Sequence, residues 1–477
     1  MKLCELLENK AVTSIGDAEI SGVTDDTRKV GEGSLFVCVK GGRFDGHSAA
    51  AEMLEKGAAA VVCDHDLGLG EKQIIVDNTR RSYGELCAAW FGHPEKKLKM
   101  IGVTGTNGKT TITNIIKHIL MKNGHKTGLV GTIQNEIGGE VLHTDNTTPM
   151  THDFMELLAK MVEADCEYVV MEVSSFGLVQ NRIGSSHFEV AAFTNLTQDH
   201  LDYHKDMEDY YQAKKLLFGK CDTALINIDD DYGKRLFDET ECRKLSFSIK
   251  QNSDYYADGI KLKAAGSSFW FCKGEKSHLV RIMIPGLFNV SNVTCAIAVC
   301  MELGISLDDI ISAVEEYPGV KGRCEIIPTG RDFTVICDYA HTPDAIENVL
   351  KSVREYTENR LICLFGCGGN RDSAKRPKMA TAAAKYADKL IVTSDNPRNE
   401  DPMHILEDIT KSLQKKNFEV IENRKEAIDK GIQTLEKNDI LLLLGKGHEN
   451  YQIIHNTKYD FDDKIIAETI IEKMYKE

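Results

Sequence analysis

The chain has 477 residues, enough for about three domains at roughly 150 residues each. An apolar content of 42% and a charged content of 27% are those of globular protein with an ample core. The formal net charge of −15 argues against nucleic-acid or anionic-membrane partners, while leaving room for anionic small molecules in a local basic cradle.

Residues 1–8 are too acidic and too briefly apolar for a signal peptide, and no apolar run approaches the ~20 residues of a membrane-spanning helix. The 14 cysteines are scattered with no Cys-x-x-Cys pair, and Cys363 and Cys367 read as packing residues rather than ligands. A cytoplasmic enzyme with free thiols and no membrane insertion is expected.

Residues 1–97 alternate strand and helix. Strands are expected at 35–39, 58–63 and 74–76, and helices at 48–56 and 81–91. Gly92-His93-Pro94 breaks the second helix, and the lysine-rich 95–99 reads as a linker. An apolar run, 100–103, then enters Gly105-Thr106-Asn107-Gly108-Lys109-Thr110-Thr111. Behind this turn Ile112, Ile115, Ile116, Ile119 and Leu120 fall on one helix face, and Asn123-Gly124 stops the helix. Strand, glycine turn and helix N-terminus make a phosphate cradle. Glycines admit the anion, backbone N–H groups and the helix dipole point at it, and Lys109 adds a charge. Thr110 is placed to reach a Mg²⁺ on the same phosphates. The general phosphate-loop pattern is not fully met, since Val103 stands at its first glycine, yet an ATP site is the expectation.

Further parallel strands are expected at 128–131, 168–173, 191–196 and 224–228. The pattern turns antiparallel at 267–271 and 279–284, and Gly319 to Gly322 reads as a hinge. From there strands at 335–337, 361–365, 390–393, 420–421 and 440–444 alternate with helices, the pattern of a doubly wound parallel sheet. The fold class is therefore α/β in three domains, divided at 1–97, 98–320 and 321–477.

Ligands in open α/β sheets sit beyond the carboxyl ends of the strands, and the unusual polar clusters lie there. They are Glu172-Val173-Ser174-Ser175, 194–200, Asp338-Tyr339-Ala340-His341, 366–372, Asp395-Asn396-Pro397-Arg398 and Gly445-Lys446-Gly447-His448-Glu449. Glu172 and His200 would face the phosphate loop together; a carboxylate suits Mg²⁺, an imidazole less so. Read on its own, Lys214 is a solvated helix lysine.

The phosphate loop, Glu172-Val173-Ser174-Ser175, Asn195-Leu196-Thr197-Gln198-Asp199-His200-Leu201-Asp202-Tyr203-His204, Tyr210-x-x-Ala213-Lys214 and Asp338-Tyr339-Ala340-His341-Thr342-Pro343 together resemble the Mur ligases. These are the ATP-dependent amide-bond synthetases of peptidoglycan precursor assembly, and the motifs stand in that family's order from about Thr24 to His448. The last two polar clusters resemble its tripeptide-forming branch, which joins an amino acid to UDP-N-acetylmuramoyl-L-alanyl-D-glutamate through an acyl phosphate.

The resemblance implies a uridine-nucleotide domain at 1–97, a central P-loop-type ATPase at 98–320 and a Rossmann-like amino-acid domain at 321–477. Gly105 to Thr111 would hold the ATP phosphates, with Thr110, Glu172, His200 and a carbamylated Lys214 on two Mg²⁺. Asn292 would meet the adenine, with Arg323 and Asp338 at phosphate and ribose. Thr27, Asn146, Thr147, Thr148, Ser174, Gln180 and Arg182 would bind the UDP substrate. The family often has serine at Thr27 and histidine at Phe176.

For the incoming amino acid the resemblance implies Arg371, Asp395, Asn396, Pro397, Arg398, Gly445 and Glu449. Arg398 is the expected fixed cation for the distal carboxylate of meso-diaminopimelate, because a guanidinium fork matches a carboxylate bidentately, and Glu449 would take the distal ammonium. L-lysine as substrate and a non-catalytic sensor of muramoyl peptides are the alternatives. A monomer is expected.

Overall fold

The structure, a computed structural model, describes residues 1–8, 18–42, 44–199, 203–263, 266–413, 417–455 and 457–474. The chain separates into two compact units, residues 1–247 with 298–305, and residues 248–297 with 306–477.

In the first unit, β1 (Gly22–Thr24), β2 (Ser34–Val37), β3 (Ala60–Cys63) and β4 (Gln73–Ile75) form a parallel sheet in that order. Ser34-Leu35-Phe36-Val37 and Ala60-Val61-Val62-Cys63 are buried along their whole length. Such unbroken burial marks strands covered on both faces.

The other strands of this unit are β5 (Lys99–Thr104), β6 (Thr127–Val130), β7 (Asn135–Ile137), β8 (Glu140–Leu142), β9 (Tyr168–Glu172), β10 (Phe188–Phe193), β11 (Cys221–Asn227) and β12 (Arg243–Ser248). They lie in the order β12-β11-β10-β5-β9-β6-β7-β8. The run from β12 to β6 is parallel, and β7 and β8 close it as an antiparallel hairpin. Central β5 pairs with β9 on one side and β10 on the other; Val103 stands beside Glu172, and Thr104 beside Phe193. Three strands thus end at one level, delivering three loops to one sheet edge. The helix Lys109–Lys122 follows β5 and buries Ile112, Ile115, Ile116, Ile119 and Leu120, the face its periodicity predicts.

The stretch expected as a linker is built into the packing instead. Gly92 and His93 take positive φ, 70° and 54°, which turns the chain into a short 3-10 helix, Pro94–Lys96. Glu95 is buried there, accepting from Ser185 Oγ at 3.4 Å and lying 3.1 Å from His93 Nδ1. A charge-rich composition hid this because Glu95 and Leu98 turn inward while the three lysines stay exposed.

In the second unit β13 (Tyr255–Lys263), β14 (Gly266–Lys273) and β15 (Lys276–Ile282) are antiparallel, as expected for the latter two. A second sheet has the order β16-β17-β21-β18-β19-β20, from β16 (Glu325–Ile327), β17 (Thr334–Asp338), β18 (Leu361–Phe365), β19 (Lys389–Val392), β20 (Phe418–Val420) and β21 (Ile440–Leu444). All but the edge strand β16 run parallel. A hairpin, β22 (Tyr451–Ile454) and β23 (Thr457–Asp460), follows. The Gly319 to Gly322 stretch, read as a hinge, closes a turn through a Val320–Arg323 bridge. Among the described residues, no helix is long and apolar enough to cross a membrane.

Candidate functional site

The phosphate loop leaves β5 through Gly105, whose φ is +148°. A Cβ there would fall 1.8 Å from Thr194 Oγ1, so only glycine passes this close to the end of β10. The loop is then tied to that strand's exit. Thr106 N donates to Asn195 O at 2.9 Å, Asn107 N to Asn195 Oδ1 at 3.0 Å, and Thr194 Oγ1 to Asn107 O at 2.6 Å. Gly108 caps the Lys109–Lys122 helix at φ +90°. Lys109 curls back over the loop, its Nζ 2.8 Å from Gly105 O and 2.9 Å from Thr106 O.

Thr110 and Glu172 meet as the strand order requires. Thr110 Oγ1 donates to Glu172 Oε2 at 2.9 Å, and the same carboxylate accepts from Thr132 N at 2.8 Å and Thr132 Oγ1 at 2.9 Å. Glu172 is buried, and each of these donors is neutral. A hydroxyl and a carboxylate at the mouth of a phosphate cradle are hard oxygen donors, the set that fits Mg²⁺. His200 lies outside the described residues.

Lys214 overturns the reading from its bare context. It sits on the helix Met207–Lys215 with 2% of its surface exposed, and its Nζ donates to Gly105 O at 2.9 Å. The Tyr210 ring lies 4.6 Å beneath the Nζ. Burial, with Lys109 as a second cause, pushes its ammonium well below the usual lysine range. The available signal was helical spacing: Tyr210, Ala213, Lys214 and Leu217 are all buried and share one face.

Beside this centre runs a connected polar cluster. Thr147 Oγ1 is 3.0 Å from Thr132 Oγ1; Thr148 Oγ1 donates to Glu172 O at 3.1 Å and lies 3.0 Å from Ser174 Oγ. Arg182 donates to Thr148 O at 2.9 Å and, through Nε and Nη2, to Gln180 Oε1 at 3.0 and 2.9 Å. Five of the seven residues expected at the UDP substrate are thus brought together. Thr27 lies in the turn after β1, and Asn146 is exposed. Thr132 escaped sequence reasoning because nothing near it in the chain points to Glu172.

The second unit gathers its own polar residues at the carboxyl ends of β17, β18, β19 and β21. Asp338 accepts from Cys324 N at 2.7 Å and Ala340 N at 2.8 Å; burial raises its carboxyl pKa, against the opposing pull of Arg323. The Arg323 guanidinium stands 5.0 Å over the Tyr339 ring. His448 falls to about 4, through burial first and then through Arg323, Lys321 and His341. Asn292 is buried on the helix Leu287–Glu302 and bonds Asn289 Oδ1 at 3.2 Å.

Asp395, Asn396 and Pro397 are buried and Arg398 half-buried. Arg398 has φ +52°, its backbone N–H bonds Ile453 O at 3.0 Å, and its Nη1 bonds Gly369 O at 2.7 Å. Gly445, at φ +110°, lets Asp395 Oδ2 come within 2.8 Å of where a Cβ would stand. Glu449 already has partners: Asn396 Nδ2 at 2.9 Å and Lys446 Nζ at 3.3 Å. Lys446, fully buried, was missed although it sits in a motif singled out from the sequence. Arg371 is exposed.

Three family descriptions match the chain: "Mur ligase family, catalytic domain" at residues 19–90, "Mur ligase middle domain" at 103–300 and "Mur ligase, glutamate ligase domain" at 322–447. The chain is 42% identical over 464 residues to a UDP-N-acetylmuramoyl-L-alanyl-D-glutamate–2,6-diaminopimelate ligase of Clostridium acetobutylicum, covering 96% of each. It is 42% identical over 478 residues to the ligase of the same name from Bacillus cereus, covering 98% of this chain and 97% of that one. A solved structure of a ligase bearing that name superposes with a TM-score of 0.76 at 30% identity, covering 100% of this chain and 99% of the other. With relatives this similar along nearly its whole length, the chain belongs to the Mur ligase family.

Proposed function

We propose that this chain is an ATP-dependent ligase that joins 2,6-diaminopimelate, in the meso form, to UDP-N-acetylmuramoyl-L-alanyl-D-glutamate. Its place is the cytoplasm, in peptidoglycan precursor synthesis. The names its relatives carry support the substrates. The observation that carries the chemistry is the cradle itself: Lys109 and Lys214 converge on Gly105 O while Thr110 meets Glu172 at its mouth. Residues 1–97 would serve the uridine nucleotide, 98–320 ATP, and 321–477 the amino acid.

A carboxylate is a poor acyl donor until phosphorylated, and two anions must meet for that step. The loop N–H groups and Lys109 would offset the γ-phosphate charge, and Thr148, Ser174, Gln180 and Arg182 would hold the dipeptide carboxylate beside it. Thr110 and Glu172 would hold Mg²⁺, which supplies further charge neutralisation on the phosphates. Burial favours the neutral form of the Lys214 amine, the form that adds CO₂ and loses a proton to become a carbamate. Lys214 would thereby turn from a buried amine into a carboxylate-like metal ligand. Asn292, Arg323 and Asp338 would serve adenine, phosphate and ribose. Arg398 would pair the distal carboxylate, with Asp395, Asn396, Gly445 and Glu449 around the distal amine.

The test is phosphate release, expected only when the UDP-dipeptide, the amino acid and ATP are all present. Lys214→Ala should lower it by about a hundred- to a thousandfold, with partial recovery when a short carboxylic acid fills the vacated ligand position. Phosphate release without the acceptor, or a Lys214→Ala rate near wild type, would overturn the reading.

A further inference from the structure

We propose that His204 is a positioning residue that fixes the substrate-binding arm of the first unit against the arm carrying Lys214. The inference rests on the ligase reading above.

His204 is 1% exposed and bonded at both ring nitrogens. Nδ1 lies 3.0 Å from Asp209 Oδ2, and Nε2 lies 2.9 Å from Ser175 Oγ. A carboxylate only accepts, so in the neutral ring Nδ1 carries the hydrogen and Nε2 accepts from the serine hydroxyl. Asp, His and Ser in this order have the connectivity of a hydrolase triad, but Ser175 is 2% exposed and lies in the first turn of a helix. That burial leaves the relay a mechanical role.

What the relay joins is specific. Ser175 opens the short helix Ser175–Val179; its N-cap is Ser174, and beyond its end come Gln180 and Arg182. These are residues of the cluster built on Thr148. Asp209 belongs to the first turn of the helix Met207–Lys215, which carries Tyr210 and Lys214. The His204 ring stacks on Tyr210 at 4.8 Å and 28°, and Tyr210 Oη stands 3.3 Å from Thr106 Oγ1 of the phosphate loop. The Phe176 and Tyr203 rings also lie against it, with centroids 5.8 and 5.1 Å away. One imidazole thus touches the first turns of both helices and, through Tyr210, the loop. An in-line attack of carboxylate on phosphate is sensitive to the separation of those parts, and a misplacement of about 1 Å costs on the order of a hundredfold.

The two nitrogens can be separated by substitution. His204→Gln sets an amide near the Nε2 position and keeps a partner for Ser175; His204→Asn sets one near Nδ1 and loses it. We expect Ser175→Ala and His204→Asn each to lower kcat by about ten- to a hundredfold with KM for ATP within about twofold of wild type. Their double variant should be no worse than either single one, since both remove the same bridge. His204→Gln should recover most of kcat. The inference falls if Ser175→Ala turns over at the wild-type rate, or if His204→Gln is no better than His204→Asn while losses track the melting temperature. Wild-type enzyme inactive on these substrates would instead strike at the ligase reading, so the two failures are distinct.

Discussion

Lys214 and Lys215 are neighbours of the same type with opposite fates. Lys215 turns out to pair with Glu239 at 2.8 Å, while Lys214 turns in beneath the phosphate loop. A single residue's composition cannot separate them; a rotation of about 100° along the helix does. Arg398 poses the same question in the second unit. Its backbone is pinned by Ile453 and His455, and its guanidinium is held at one nitrogen by Gly369 O. Gly369 O engages Nη1, and bidentate pairing with a substrate carboxylate would use the rest of the fork. Arg398→Ala should therefore lose about 2–5 kcal/mol with diaminopimelate, roughly a thirty- to several-thousandfold fall in kcat/KM. Any residual use of lysine should change far less. Steady-state kinetics with both amino acids checks this; equal losses on the two would assign Arg398 to structure.

At the scale of elements, the sheet edge of the second unit is stabilised from below by one buried ion pair. Arg424, at the start of the helix Arg424–Gln433, bonds Asp463 through Nε at 2.8 Å and Nη2 at 2.5 Å, and its Nη2 also reaches Leu444 O at 3.0 Å. Both side chains are fully buried. Removing one partner strands the other charge, so Arg424→Met should cost about 3–5 kcal/mol. Replacing both, with Asp463→Leu, should cost less than either alone. Urea unfolding midpoints test this; additive losses would show two independent anchors. Strands such as β18 and β21 were legible because continuous apolar runs of strand length, bounded by glycine or charge, admit few other readings. The hairpins β7–β8 and β22–β23 were not, because none of their strands carries such a run: β7 buries the polar Asn135 and Glu136, and β23 is exposed throughout. The same divide runs through the site. Thr110 and Glu172 end or follow recognisable strands, whereas the contacts of Thr132, His204 and Lys446 depend on tertiary approach that spacing does not encode.

Across the whole molecule, the loop residues proposed to hold the ATP phosphates lie in the first unit, whereas Arg323, proposed at phosphate, and Arg398, proposed to choose the amino acid, lie in the second. Acidic overall charge and a local lysine pair are compatible, since Lys109 and the buried Lys214 both converge on Gly105 O. The relatives' names fix an expectation for the product: UDP-N-acetylmuramoyl-L-alanyl-D-glutamate extended by diaminopimelate. The most direct measurement is the intact mass of the nucleotide product when the enzyme, ATP and Mg²⁺ are given meso-diaminopimelate and L-lysine in equal amounts. The diaminopimelate adduct should dominate, with one phosphate released per amide bond formed. A lysine adduct as the main product would contradict the selectivity assigned to Arg398, and no adduct at all would contradict the ligase itself.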